Sequence, residues 1–391
     1  MFILRVNPYT ICSLCNSTAP QTLHERPNPK PRQRQQHMTL ALSRPIRVKF
    51  LSRLDPREWL RYFPHEDGRW GDCEFLFDRA IRDYDWLVVY DDVPPAAGQS
   101  RSAAREELAC PHAHTLLVTT EPASIKAYGR GFAAQFGHVL TSQPPWALPH
   151  PNRHYQQAAN HWFFGSAKDS WMRRADLVRG PSARDKTQGI SVVYSPKRQW
   201  HTLHAQRFNF IEAMRKLLPE MSVFGRGAIP MDDKADALAP FRYHLVVENH
   251  IGPHHITEKL SDAFLGRCLP FYAGAPNAAD YFPAGSFVPI DIRDPAGAAD
   301  RIRNAMREDA WTERLPEIEE ARRRVLEEQN IFAVTCRIIS ERHSDTAFPA
   351  TQGGSILGRH AWRKRHKIGS IAHLLEKLYV RSRSLLGKRA A

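Results

Sequence analysis

Residues 241–274 read FRYHLVVENHIGPHHITEKLSDAFLGRCLPFYAG. The run FRYHLVVEN is apolar and β-branched, which predicts a strand. A Gly-Pro loop follows. Leu260, Ala263 and Phe264, with Ile256 ahead of them, then form a helical stripe. Thr257 suits the N-cap of that helix and Gly266 its stop. CLPFYAG predicts the next strand. Strand, helix and strand in this order are the unit of a parallel sheet with helices on its faces.

A helix that starts at the carboxyl end of a strand offers free N–H groups and a positive dipole end, which suits an anion. Lys259 adds a full charge for phosphate oxygens. Glu258 suits a pair of ribose hydroxyls. A nucleoside diphosphate therefore fits the Thr257–Glu258–Lys259 start, with simple capping as the plainer alternative. A metal site fits less well. His250, His254 and His255 lack helical i, i+4 spacing and a second ligand cluster, so no metal is expected.

The same alternation extends both ways. Upstream, PIRVKFLS (45–52), DWLVVY and HTLLV predict strands, with helices over CEFLFDRAIRDY, SAAREELACP and SIKAYGRGFAAQF. An aromatic-rich loop, 142–165, follows, serving either an acceptor sugar or inter-domain packing. Residues 168–188 carry Gly180–Pro181 and suit a linker. GISVVYS, MSVFG, SFVPIDI and the helices around them complete a second α/β unit. The expected domains are a disordered leader (1–40), a first α/β domain (41–167), the linker (168–188), a second α/β domain (189–345) and a tail (346–391).

The segment from Phe241 to about Asp294, together with VFGRG at 223–227, resembles the donor-binding motifs of family 10 glycosyltransferases, the α-1,3/1,4-fucosyltransferases. The family pattern is an E-N pair, a short loop, T-E-K, a helix, a P-x-Y-x-G-x-P-like turn and S-F-[IV]. The resemblance implies a GT-B fold, two Rossmann-like α/β domains facing a central cleft. It implies an inverting transferase with GDP-fucose as donor, no essential metal, and a glycan hydroxyl as acceptor, α-1,3/1,4 on GlcNAc or glucose of a lipopolysaccharide-like surface glycan. Carried over, Arg207 and Lys259 neutralise the pyrophosphate and Glu258 holds the ribose. Glu248, Asn249, His255 and Thr257 line the donor pocket, with Ser195 and Arg226 as further donor-binding candidates. His255 stands where the family has an aromatic residue, and Val247 replaces the aromatic before Glu248–Asn249, which keeps GDP-mannose or another nucleotide sugar open. One general base is required. Glu121, after the strand HTLLV, takes that role, with Asp91 and Asp92 as second choice. Asp83-Tyr84-Asp85 has D-x-D spacing but precedes its strand, the wrong end for a ligand.

The chain carries a net charge of +14, but its ends hold most of it. Residues 1–50 have eight Lys/Arg against one Glu, and residues 358–391 ten against one, so the body is close to neutral. That argues against nucleic acid as a partner and against a purely anionic-surface binding protein. Ile368, Ile371, Leu374, Leu375, Leu378, Leu385 and Leu386 recur at helical spacing among lysines and arginines. They predict a basic amphipathic helix, which either docks on the body with its charged face solvated or holds residues 358–391 to an anionic membrane. No signal peptide or membrane-spanning run is read. Six scattered cysteines, with Cys12 and Cys15 as a lone CxxC, fit a reducing compartment. The expected location is cytoplasmic, at the inner membrane face. Residues 1–37 read as an extension ahead of a natural start at Met38.

Overall fold

The computed structural model describes residues 44–158, 161–168, 170–194, 203–226, 228–344 and 354–390; the side chains of His204 and of residues 385–390 lie outside that description. The expected leader 1–40, its CxxC, Ser195 and the side chains of Leu385 and Leu386 are therefore outside it.

The first half is a seven-stranded sheet made of β1 (Ile46–Leu51), β2 (Arg69–Trp70), β3 (Cys73–Leu76), β4 (Trp86–Tyr90), β6 (Thr115–Val118), β7 (His138–Thr141) and β8 (Arg153–Tyr155). A further strand, β5 (Arg105–Glu107), stands apart from it. The order is β2-β3-β1-β4-β6-β7-β8, parallel except for the edge strand β2. Central strands buried on both faces read as unbroken apolar runs, and Trp86–Val89 is one.

Three helices expected in this half are corrected. CEFL is strand β3, in register with Ile46–Lys49, and its buried Cys73 and Phe75 alternate with half-buried neighbours. Where SAAREELACP (102–111) predicts a helix, there is a 3₁₀ turn at Arg101–Ala103 and then β5. Here Glu106 turns inward to the fully buried Lys49 at 2.7 Å, a long-range pairing that overrides the local helix preference of AREEL. In SIKAYGRGFAAQF only Arg130–Ala133 is helical. Gly129 ahead of it has φ +89°, and a Cβ there would lie 2.4 Å from His373 Nδ1.

The second half is a five-stranded parallel sheet: β9 (Gln188–Tyr194), β10 (Ser222–Gly225), β11 (Phe241–Val247), β12 (Leu269–Ala273) and β13 (Val288–Pro289), in the order β10-β9-β11-β12-β13. Its core gathers Val192, Phe210, Ile211, Leu245, Phe271 and Ile302. The strand order reverses between β9 and β11, and ligands of open parallel sheets sit at such a switch point, outside the carboxyl ends.

The residues expected to link the halves include the helix Arg174–Arg179, with Arg174 and Leu177 buried. Arg174 donates to the carbonyls of Tyr62 (3.4 Å) and Leu326 (3.3 Å), so this segment is packed in place. The helical pattern over 315–343 is two helices, Leu315–Glu327 and Ile331–Arg342. Asn330 separates them and caps the second, accepting from Phe332 N and Ala333 N at 2.9 Å each. Phe332 then packs among Phe50, Phe63 and Phe75 of the first half, with ring centroids 4.3–5.1 Å apart. The chain has crossed back.

It stays there. The expected tail contains β14 (Ser355–Leu357), antiparallel to β5, followed by helices Arg359–Arg365 and Lys367–Ala390. In the last helix His373 and Val380 are buried, while Ile368, Ile371, Leu374, Leu375 and Leu378 are exposed. Among the described residues no helix is long and apolar enough to cross a membrane.

Candidate functional site

Strand β11 ends at Val247, and its last side chains deliver Glu248 and Asn249 to the switch point. Glu248 is fully buried. Its carboxylate accepts from Thr257 N (3.2 Å), Thr257 Oγ1 (2.7 Å) and Lys259 Nζ (3.1 Å). The expectation placed Glu248 in the pocket wall. The structure instead sets it behind Thr257 and Lys259, where it orients both.

Thr257 is the N-cap of the helix Glu258–Leu265 and Gly266 its C-cap, as the spacing predicts. Lys259 Nζ donates also to Glu258 Oε1 at 3.0 Å. Burial opposes the charge on Lys259, but the carboxylates of Glu248 and Glu258 outweigh it and hold its pKa above the ordinary lysine value. Burial likewise opposes ionisation of Glu258, yet Lys259 and Lys234 keep its carboxyl well below the usual range. Both are charged at neutral pH.

Arg207, in the helix His204–Leu217, donates to Asn249 Oδ1 and to the Val193 carbonyl at 3.1 Å each. It is 9 % exposed, and its buried Nε has no partner among the described residues. A buried guanidinium with a donor to spare is prepared for an acceptor that arrives from outside. Burial lowers its pKa, opposed by Glu248 and Glu258.

Arg207, Arg226, Lys234, His244, Glu258 and Lys259 share the lining of a cavity of about 360 Å³ at this switch point. A second cavity, of about 280 Å³, is lined by Tyr90, Thr120 and Glu121 from the first half and by Asn249, His255, Thr257, Glu258 and Lys259 from the second. Glu258 and Lys259 belong to both walls, so the cavities adjoin there. Burial, and then the charge of Asp91, push the Glu121 carboxyl upward. His255 is buried and its pKa falls to about 4, through burial and Lys259, so it is a neutral imidazole.

The other sequence candidates are occupied elsewhere. Asp91 Oδ1 accepts from Thr120 Oγ1 (2.9 Å), Tyr128 OH (2.6 Å) and Lys126. Asp92 accepts from Arg53 (3.2 Å) and from Arg359 N (2.9 Å), a structural tie to the tail. Asp83 pairs with Arg47, and Asp85 with Arg44 at 2.7 Å, at the amino end of β4. His250 and His254 have separate partners, Ser124 Oγ at 3.1 Å and Tyr281 OH at 2.5 Å.

Sequence reasoning missed Lys234 and Asp262. Asp262 is 1 % exposed, takes Lys234 Nζ at 2.7 Å, and accepts Phe163 N (2.7 Å) and Phe164 N (2.9 Å) from the aromatic loop of the first half. An acid inside the apolar stripe, four residues after Glu258, was the one signal available.

Fold and cavities together define a two-sheet α/β protein with a cavity lined by Arg207, Arg226, Lys234 and Lys259 at a parallel-sheet switch point. Residues 183–342 match the family model described as glycosyltransferase family 10 (fucosyltransferase) C-term. An α-(1,3)-fucosyltransferase FucT of Helicobacter pylori is 30% identical over 101 residues, 24% of this chain and 20% of that protein. The match thus spans about a fifth of the curated relative's length. A crystal structure of an α1,3-fucosyltransferase is similar with a TM-score of 0.42 at 15% identity, covering 74% of this chain and 92% of that one. A crystal structure of an α1,3-fucosyltransferase with GDP-fucose gives 0.41 at 15% identity, covering 80% of this chain and 94% of that one. Overlaps this loose transfer no residue's role.

Proposed function

We propose that the protein is an inverting glycosyltransferase of the GT-B type that moves fucose from GDP-fucose to a hydroxyl of a glycan acceptor. The observation that carries this reading is the shared wall: Glu258 and Lys259 border one cavity that contains Arg207 and another that contains Glu121. The diphosphate lies against Arg207, Lys259 and the helix N-terminus, and Glu258 takes the ribose. The Glu121 carboxylate removes the acceptor proton as the acceptor oxygen bonds to the anomeric carbon. On the opposite face the bond from that carbon to phosphate breaks, and GDP leaves with the electron pair. Its charge is met by Arg207 and Lys259, so the site supplies stabilisation where charge develops.

The finer reading is an α-1,3/1,4 linkage to GlcNAc or glucose of a surface glycan such as lipopolysaccharide; the name of the Helicobacter relative supports its α-1,3 part. The exposed apolar face of the helix Lys367–Ala390, set among basic residues, supports peripheral attachment to the inner face of the cytoplasmic membrane. A second donor, GDP-mannose, is favoured by one feature: the small neutral His255 in the cavity of Glu121.

A thermal-shift panel of GDP-fucose, GDP-mannose, UDP-sugars and GDP tests the donor, since a ligand that binds the native state raises the melting temperature. GDP-fucose is expected to give the largest shift among the sugars. A larger shift with GDP-mannose selects the second donor, and no shift with any guanine nucleotide overturns the proposal.

A further inference from the structure

Strand β11 turns Tyr243, Leu245 and Val247 into the core of the second sheet. The period of two sends His244 and Val246 to the opposite face, where both line the cavity of about 360 Å³ that contains Arg207 and Lys259. His244 is only 5 % exposed. A buried imidazole needs partners for its nitrogens. Nδ1 lies 2.7 Å from Oγ of Ser191, its register partner on β9. Ser191 donates its own proton to the Ala237 carbonyl at 2.5 Å. The hydroxyl oxygen is therefore left to accept from the ring, which puts the imidazole proton on Nδ1. Nε2 is then a bare acceptor, and it has no partner among the described residues. Burial, with the charges of Lys234 and Lys186, lowers the pKa of His244 to about 3, so the ring stays neutral.

Lys234 lines the same cavity. It opens the 3₁₀ turn Lys234–Ala237, the turn that Ser191 holds through Ala237. Its Nζ donates to Asp262 Oδ2 at 2.7 Å, which leaves further protons for a ligand. A lysine donor and a histidine acceptor thus share one wall with Val193, Met231, Leu238 and Val246. Apolar sides with one donor and one acceptor suit a flat heterocycle whose edge carries a carbonyl beside an N–H.

We propose that His244 and Lys234 read the base of the donor nucleotide, His244 Nε2 accepting from guanine N1–H and Lys234 Nζ donating to guanine O6. This rests on the reading of the protein as a transferase that uses a guanine nucleotide. A nucleotide whose diphosphate meets Arg207 and Lys259 has its base to place within the same cavity. Adenine carries the reverse order, an amino donor at C6 and an acceptor at N1. It would set two acceptors against each other at His244. The ring cannot adapt by moving its proton to Nε2, because Nδ1 would then draw the Ser191 proton away from Ala237. Discrimination comes from that mismatch as much as from the matched pair.

Calorimetry on the full chain with GDP and with ADP tests it. The wild type is expected to bind GDP about 100-fold more tightly, since the wrong base leaves a buried acceptor unpaired. His244→Phe fills the same space without the acceptor. It is expected to weaken GDP about tenfold or more and to leave ADP affinity unchanged, which also reports an intact fold. His244→Gln, with an amide oxygen near the Nε2 position, is expected to keep most of the preference. Should His244→Phe fail to fold, Lys234→Met, which removes the donor to O6, is expected to lower the preference in the same way. Equal or tighter binding of ADP by the wild type, a preference that survives His244→Phe, or a folded variant that loses both nucleotides together overturns the assignment. Failure of the wild type to bind either nucleotide overturns the underlying transferase reading instead.

Discussion

Lys259 Nζ lies within 3.1 Å of oxygens on Glu248, Thr257 and Glu258, and its side chain remains 19% exposed toward two cavities. It is held from behind and open in front. Lys259→Ala is expected to raise the Kd for GDP more than tenfold by calorimetry. It also leaves Glu248 buried with a partner missing, which costs about 3 kcal/mol, seen as a lower melting temperature of the apo protein. Glu121 has a different task and a different test. Glu121→Gln is expected to keep GDP affinity and lower turnover by about 10²–10⁴-fold. As a base it acts deprotonated, and its pKa is raised, so kcat/KM of the wild type should climb with pH through a limb above the ordinary carboxylate range. Normal turnover in the variant removes Glu121 from the role. At this scale Thr257, Glu258 and Lys259 were legible because a helix start is local. Glu248 was misplaced because its inward turn depends on Thr257, nine residues on.

Among the elements, the helix Glu258–Leu265 does two jobs. Its N-terminus faces the cavities, and its buried Asp262 pins the loop of Phe163 and Phe164 across from the other half. Asp262→Ala leaves two amides and Lys234 without this acceptor, a cost of about 1–3 kcal/mol. Hydrogen exchange at the amides of Phe163 and Phe164 is expected to accelerate, with donor affinity less affected. Unchanged exchange there would show that the loop is held by other means. Elements were legible where both faces of a strand are buried, as in β4, β6 and β11. They were misread at β3 and β5, where short segments with helical composition are recruited as strands by partners distant in sequence: β1 for one, β14 for the other.

At the scale of the whole molecule, stability should depend on buried neutral histidines. Burial leads the causes that lower His138 and His255 to about 4 and His244 to about 3, against a reference of 6.5. Between those values the unfolded chain binds more protons than the folded one. Stability is therefore fully present above about pH 6.5 and lost as pH falls toward 4. The denaturant midpoint should drop clearly between pH 7.5 and pH 5; a flat midpoint contradicts this account. The tail gives the second test. Removing residues 367–391 takes away the exposed Ile368, Ile371, Leu374, Leu375 and Leu378 but leaves β14 and Trp362 in place, packed on the first core. The shortened chain should bind GDP and should not sediment with anionic vesicles. Vesicle binding that persists would assign the attachment to another surface.

The sequence by itself determined the second α/β unit, its strand–helix–strand frame and the Thr257-capped helix start that carries Glu258 and Lys259, because alternation and capping act over a few residues. Only the tertiary structure decided that Glu121 and Lys259 line one cavity. It alone returned Phe332 and β14 to the first half, and set Asp262 between the halves. Those contacts join residues 98 or more positions apart, and their free energy comes from burial and pairing that exist only once both sheets have formed.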